Sequence, residues 1–178
     1  MAIGWGENAV AKRMALGWRG GLKEGTPCGG GSTMIATRGI RALLPRLVDK
    51  YGFQTVCDAG AGDMHWVSQV DWEAEYRPFD LYPRRKEVTK LDISKELLPV
   101  CDLILCRHVL IHLDPERINN ALSLFRQSGK YLLASQYDDA GPFDSSEQFN
   151  KVNMVPLMGQ PLEKHPDAKA HIALWRLS

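Results

Sequence analysis

Apolar positions along this chain come in two rhythms, short unbroken runs and longer stretches spaced like one face of a helix. Ile35, Ile40, Leu43, Leu44 and Leu47 follow the helical rhythm and predict a helix over 33–50, opened by Ser32 or Thr33 and bent or cut at Pro45. Residues 53–58 predict a strand, 64–70 a helix, and 76–81 and 88–93 two further strands. Cys101-Asp102-Leu103-Ile104-Leu105-Cys106 is the strongest strand signal, a nearly continuous apolar run suited to a strand buried on both faces. A helix is expected over 115–128, with Asp114 as N-cap, Pro115 in the first turn and Gly129 closing it. Strands follow at 130–136 and 172–177, and the polar, proline-broken stretch 138–168 between them reads as mostly loop. Residues 1–31 are glycine-rich and mildly basic; they read as an arm or lid with one short helix near 9–16.

Strands alternating with helices predict an α/β fold, a single-domain Rossmann-like unit over 32–178. Its sheet is expected to be mostly parallel, with helices on both faces. The 178 residues suit one domain, and 44% hydrophobic with 24% charged positions is ordinary globular composition. A net charge of +1 supplies no field to recruit nucleic acid or an anionic membrane. The apolar run near 103–113 is interrupted by Arg107, His108 and His112 and is too short to span a bilayer. Cys28, Cys57, Cys101 and Cys106 match no zinc spacing, and no metal site is expected. Three of them sit in apolar runs as small hydrophobes, which suits reduced thiols and a cytoplasmic protein.

In a doubly wound sheet, ligands bind beyond the carboxyl ends of the strands, so chemistry is sought there. The first strand runs into Asp58-Ala59-Gly60-Ala61-Gly62-Asp63, where two glycines permit a tight turn and close backbone approach. A plain strand-to-helix turn would look the same. The second strand ends at Asp80, 22 residues beyond Asp58, the distance at which a carboxylate can accept ribose hydroxyls. Asp92 and Ile93 end the third strand, and Arg107 and His108 the fourth. Tyr137-Asp138-Asp139 follows the fifth.

This succession of strand ends resembles the class I S-adenosylmethionine-dependent methyltransferases. With Gly31-Ser32-Thr33 and the closing Leu174-Trp175-Arg176-Leu177, it is similar to a group of small bacterial and phage-type methyltransferase-like proteins. The resemblance implies S-adenosylmethionine as cofactor, with Thr33, Asp58, Gly60, Gly62, Asp80, Asp92, Ile93 and Arg107 around it. The pattern departs from the family at Asp63, where a third glycine is common, and over Tyr76-Arg77-Pro78-Phe79-Asp80, which lacks the usual glycine before the acidic residue and where Pro78 removes a donor from the second strand. Asp63 is left either capping a helix or meeting the cofactor's amine.

A sulfonium is already an activated methyl donor, so catalysis would rest mainly on positioning. Should the acceptor need to lose a proton, His108 and Tyr137 are the candidate catalytic groups, whereas His112 reads as structural. The fourth strand ends in Cys-Arg-His-Val and not in the Asn/Asp-Pro-Pro-aromatic run of DNA amino-methylating enzymes. A small-molecule acceptor, or a small group on a larger one, is expected, and the sequence leaves the oligomeric state open. The arm, with Trp5 and Trp18, is a candidate lid. Two other readings stay open: a non-catalytic S-adenosylmethionine-binding protein, and an NAD(P)-dependent oxidoreductase. The latter normally wants G-x-G-x-x-G, which Asp63 and Met64 interrupt.

Overall fold

The computed structural model describes residues 24–141, 151–167 and 170–177; the helix expected near 9–16 lies outside them. Among the described residues, seven strands form one sheet: β1 (Thr55–Ala59), β2 (Glu75–Asp80), β3 (Thr89–Lys90), β4 (Cys101–Cys106), β5 (Gly129–Gln136), β6 (Glu163–Asp167) and β7 (Ala170–Arg176). Their order is β3-β2-β1-β4-β5-β7-β6. The first five run parallel, and β7 lies antiparallel to both β5 and β6. Strand order reverses between β1 and β4, so their carboxyl ends flank the crevice where such a sheet receives ligands.

Helix α1 (Arg38–Tyr51) covers one face and α2 (Pro115–Ser128) the other. Ile40, Leu43, Leu44 and Leu47 of α1 pack with Leu103, Leu105 and Leu133. Ile118, Ala121, Leu122 and Phe125 of α2 pack with Ile104, Cys106 and Leu132. Alternate residues of β4 thus enter opposite cores, which is why its sequence lacks polar alternation. Each such leucine or isoleucine contributes roughly 1.5–3 kcal/mol by burial. Among the described residues, no helix is long and apolar enough to cross a membrane.

Several elements differ from their expected form. Helix α1 begins at Arg38, since residues 33–37 form hydrogen-bonded turns, and it continues through Pro45. The expected helix over 64–70 is replaced by turns and a 3-10 helix at Val67–Gln69. Gly62 and Met64 adopt left-handed φ values of 58° and 57°, and the Asp63 carboxylate accepts the His65 amide, so only one α-type bond forms, from the Ser68 amide to the Met64 carbonyl, before the 3-10 turn takes over. The third strand shrinks to two residues. Gly129 is no left-handed cap: at φ −119° it is already the first residue of β5. A Cβ there would stand 2.7 Å from the Ile104 side chain. Within 138–168, read as loop, lie α3 (Val155–Met158) and all of β6.

Pro78 sits within β2 without cost. The Glu75 amide donates to the Gln54 carbonyl and the Phe79 carbonyl accepts from Gly60, so odd-numbered residues of β2 face β1. Even-numbered ones face β3, as the bond from the Leu91 amide to the Asp80 carbonyl confirms. Pro78 turns its nitrogen toward β3, which begins opposite Phe79 and has nothing to offer it.

Candidate functional site at the carboxyl edge of the sheet

The loop after β1 is held from inside the protein. The Phe79 carbonyl accepts the amides of Gly60 and Ala61 at 2.8 and 3.0 Å, and the Asp80 carboxylate accepts the Gly62 amide at 2.9 Å. Met64 donates to the Ala61 carbonyl and His65 to the Asp63 carboxylate. These amides are therefore not available as a phosphate cradle, and no helix N-terminus follows the loop. Asp63 caps a turn and not a helix.

Both glycines are required by packing. At Gly60, φ is 112°, and a Cβ would lie 2.2 Å from Val109 Cγ2; at Gly62 one would lie 2.6 Å from Cys28 Sγ. Residues 24–33 lie over the loop. Besides the Cys28 contact, Glu24 accepts the Met34 amide at 2.6 Å and the Gly31 carbonyl accepts Arg107 Nη1 at 2.8 Å. Thr33 anchors this stretch: its hydroxyl donates to the Gly30 carbonyl and accepts the Ala36 amide.

Asp58, the second-to-last residue of β1, is buried and accepts the Tyr76 hydroxyl at 2.5 Å. Burial lifts its carboxyl to about 7, with the nearby Asp80 charge adding to the rise and Tyr76 and Arg107 opposing it. Tyr76 was not anticipated as a site residue; it reaches Asp58 because β1 and β2 pair in parallel, with Val56 opposite Tyr76. Asp80 is half-buried at the end of β2. One of its oxygens takes the Gly62 amide and the other the Tyr82 amide at 2.7 Å. Burial raises its pKa, against the pull of those two amides. Each oxygen keeps a further lone pair for a ligand donor.

Asp92 caps its own turn, accepting the Ser94 amide and hydroxyl at 3.0 and 2.7 Å, with Lys95 3.5 Å from its other oxygen. Ile93 packs into the core under α2.

At the end of β4, Arg107 is buried in a bidentate pair with Asp167, at 2.8 and 3.0 Å, with its guanidinium above the Trp66 ring. Asp167 is the last residue of β6. Its own burial works against ionisation, but His108 and Arg107 outweigh it and bring its carboxyl down to about 2. His108 adopts a left-handed φ of 55°, uncommon for a residue with a side chain, and its amide donates to the Ser135 hydroxyl at 2.9 Å. Its Nδ1 lies 3.2 Å from the Tyr137 hydroxyl and its Nε2 lies 3.3 Å from Asp167 Oδ2. That Nε2 is buried and makes no aligned hydrogen bond among the described residues. Burial takes His112 down to about 4, helped by the neighbouring His108. It is neutral near pH 7.

The fold thus gathers Asp58, Gly60, Gly62, Asp80, Arg107, His108 and Tyr137 along one sheet edge, with Thr33 in the segment packed over it. Asp92 and Ile93 stand at the next strand end but are engaged in a turn and in the core. Asp167 was missed, since its strand, Glu163-Lys164-His165-Pro166-Asp167, carries no apolar rhythm.

No family model matches the chain and no curated protein matches it. Solved structures do. The mitomycin 7-O-methyltransferase MmcR aligns with 70% of this chain and 49% of its own, at 15% identity and TM-score 0.57. The pyocyanin biosynthetic protein PhzM aligns with 80% of this chain and 56% of its own, at 15% identity and TM-score 0.63. This chain spans about half the length of those two. The N-methyltransferase NodS from Bradyrhizobium japonicum, solved with S-adenosyl-L-homocysteine, aligns over 95% of this chain and 96% of its own, at 14% identity and TM-score 0.64. At such identities the likeness is one of fold: the chain shares the Rossmann-like α/β architecture of these enzymes.

Proposed function

We propose that this chain is an S-adenosylmethionine-dependent methyltransferase acting on a small molecule or a small group of a larger one. The observation that carries the reading is Asp80. Its carboxylate closes the glycine loop through Gly62 and keeps acceptor capacity on both oxygens, beside the point where strand order reverses. Vicinal ribose hydroxyls are the donors such a carboxylate takes. Two solved structures of similar fold are named as methyltransferases, one of them holding S-adenosylhomocysteine, and they support the same choice.

In this reading the loop of Asp58, Gly60 and Gly62 lies under the methionine and ribose, and Asp92 with Ile93 borders the adenine. Thr33 and Arg107 act at one remove. Thr33 fixes the turn after Gly31, and Arg107 holds the Gly31 carbonyl, so both set the height of the covering segment. When bound, the cofactor supplies an electrophilic methyl group. The chain's own residues exclude water, orient the acceptor and, through His108 and Tyr137, take up its proton.

A nicotinamide dinucleotide fits less well. Its pyrophosphate needs free loop amides and a helix N-terminus, and here the amides are spent and the loop leads into turns. Calorimetric titration with S-adenosylhomocysteine and, in parallel, NADH tests the reading. Saturable binding of S-adenosylhomocysteine alone is expected. Binding of NADH alone, or of neither, contradicts it. Cofactor binding without transfer to any acceptor would leave a regulatory binding protein instead.

A further inference from the structure

The group at the ends of β4, β5 and β6 is more specific than a lone histidine near a cleft. Asp167 is buried and its carboxylate can only accept hydrogen bonds. It faces His108 Nε2 at 3.3 Å while Arg107 fixes its plane from the other side. A carboxylate at Nε2 favours the tautomer protonated there and leaves Nδ1 as the lone-pair nitrogen. Nδ1 in turn faces the Tyr137 hydroxyl at 3.2 Å. The backbone bears strain to hold the ring in place, with φ of 55° at His108 and its amide tied to Ser135.

Resting on the methyltransferase reading above, we propose that Asp167, His108 and Tyr137 form a proton relay and that the acceptor is a phenol-like hydroxyl. A free amine already carries the lone pair it attacks with, and it sheds its proton after transfer. A phenol, with an ordinary pKa of about 10, is a poor nucleophile at neutral pH until its proton is taken. Tyr137 Oη takes the acceptor's proton as its own passes to His108 Nδ1, giving an imidazolium whose Nε2–H faces the Asp167 carboxylate. The acceptor oxygen keeps the electron pair of its broken O–H bond and forms the O–CH3 bond with it. The pair of the broken S–CH3 bond stays on the sulfur of the sulfonium donor, and the proton leaves from His108 to solvent. Asp167 touches neither acceptor nor methyl group and acts as a positioning residue.

The tautomer is readable without turnover. Nitrogen-15 NMR of the imidazoles in the whole protein, with His108 assigned by its loss in His108→Gln, is expected to show Nε2 protonated and Nδ1 as the lone-pair nitrogen. In Tyr137→Phe the Nδ1 resonance is expected to move, and in Asp167→Asn the opposite tautomer to gain population. A predominantly Nδ1-protonated His108 in the wild type overturns the relay even if Tyr137→Phe and Asp167→Asn fail to fold. Transfer of labelled methyl from S-adenosylmethionine to a panel of substituted phenols and matched anilines tests the acceptor class. Phenol methylation is expected, with kcat falling on the order of 100-fold in Tyr137→Phe and His108→Gln while KM stays within about 3-fold. No phenol turnover, or aniline turnover alone, overturns the acceptor class. Failure of the methyltransferase reading itself would show separately, as absent S-adenosylhomocysteine binding with the tautomer intact.

Discussion

At the amino edge of the sheet, Asp102 accepts the amides of Gln54 and Thr55, the Thr55 hydroxyl and the Lys130 ammonium. At the carboxyl edge, Asp58 is buried with a single tyrosine hydroxyl. Burial pushes both carboxyls upward, but at Asp102 the lysine and the amides win and the pKa falls, whereas at Asp58 burial wins and it rises to about 7. The glycines differ likewise. Gly52 after α1 is left-handed, with nothing within 4 Å of a Cβ; Gly60 is left-handed with Val109 against it. The left-handed Met64 and His108, and the buried, unaligned His108 Nε2, also belong to the carboxyl edge. The amino edge gives its carboxylate four donors, whereas the carboxyl edge leaves Asp58 with one, Asp80 with acceptor capacity on both oxygens and His108 Nε2 unaligned, the arrangement expected where a ligand completes the structure.

That contrast breaks first at Asp167. Asp167→Ala leaves Arg107 buried without its partner and should cost about 3–5 kcal/mol in denaturant unfolding. Asp102→Ala, whose amides water can reach, should cost about 1–2 kcal/mol. Equal losses would erase the difference between the edges. Gly60→Ala should cost about 3–4 kcal/mol, from left-handed strain plus the Val109 collision. Adding Val109→Ala should recover part of that loss, and no recovery would place the cost elsewhere.

A pH series sharpens the contrast. Asp58 has a raised carboxyl pKa, so between about pH 4 and 7 the folded chain holds a proton that the unfolded chain has released. Its contribution to stability therefore declines as pH rises through that window, on the order of 2–4 kcal/mol, and Asp58→Asn should flatten it. Asp102, with a lowered pKa, works in the opposite sense and loses its contribution as the medium becomes acidic. An effect as small as that at Asp102 is expected at the open glycine: Gly52→Ala should cost about 1–2 kcal/mol, from backbone strain alone.

Legibility from sequence follows the same division. β4 and α2 match their expected bounds because both signal through burial, by a continuous apolar run and by a Pro-led, Asp-capped helical stripe. The strand ends then follow, so Asp58, Asp80, Arg107 and His108 fall where the pattern places them. β6 was invisible because an edge strand of Glu163, Lys164, His165, Pro166 and Asp167 carries no hydrophobic period. Asp167 was lost with it, and with it the partner of Arg107. The stretch after β1 carries a helical signal that the structure does not follow. Apolar Met64, Trp66, Val67 and Val70 mimic helical spacing, while left-handed turns at Gly62 and Met64, which no period records, prevent it.

Hydrogen exchange with and without S-adenosylhomocysteine tests the central claim most directly, because it reads both edges at once. The account predicts slowed exchange over 58–64 and 80–82, weaker or absent in Asp80→Ala, with 52–55 and 100–103 unchanged. Protection confined to the amino edge, or none at saturating ligand, would contradict it.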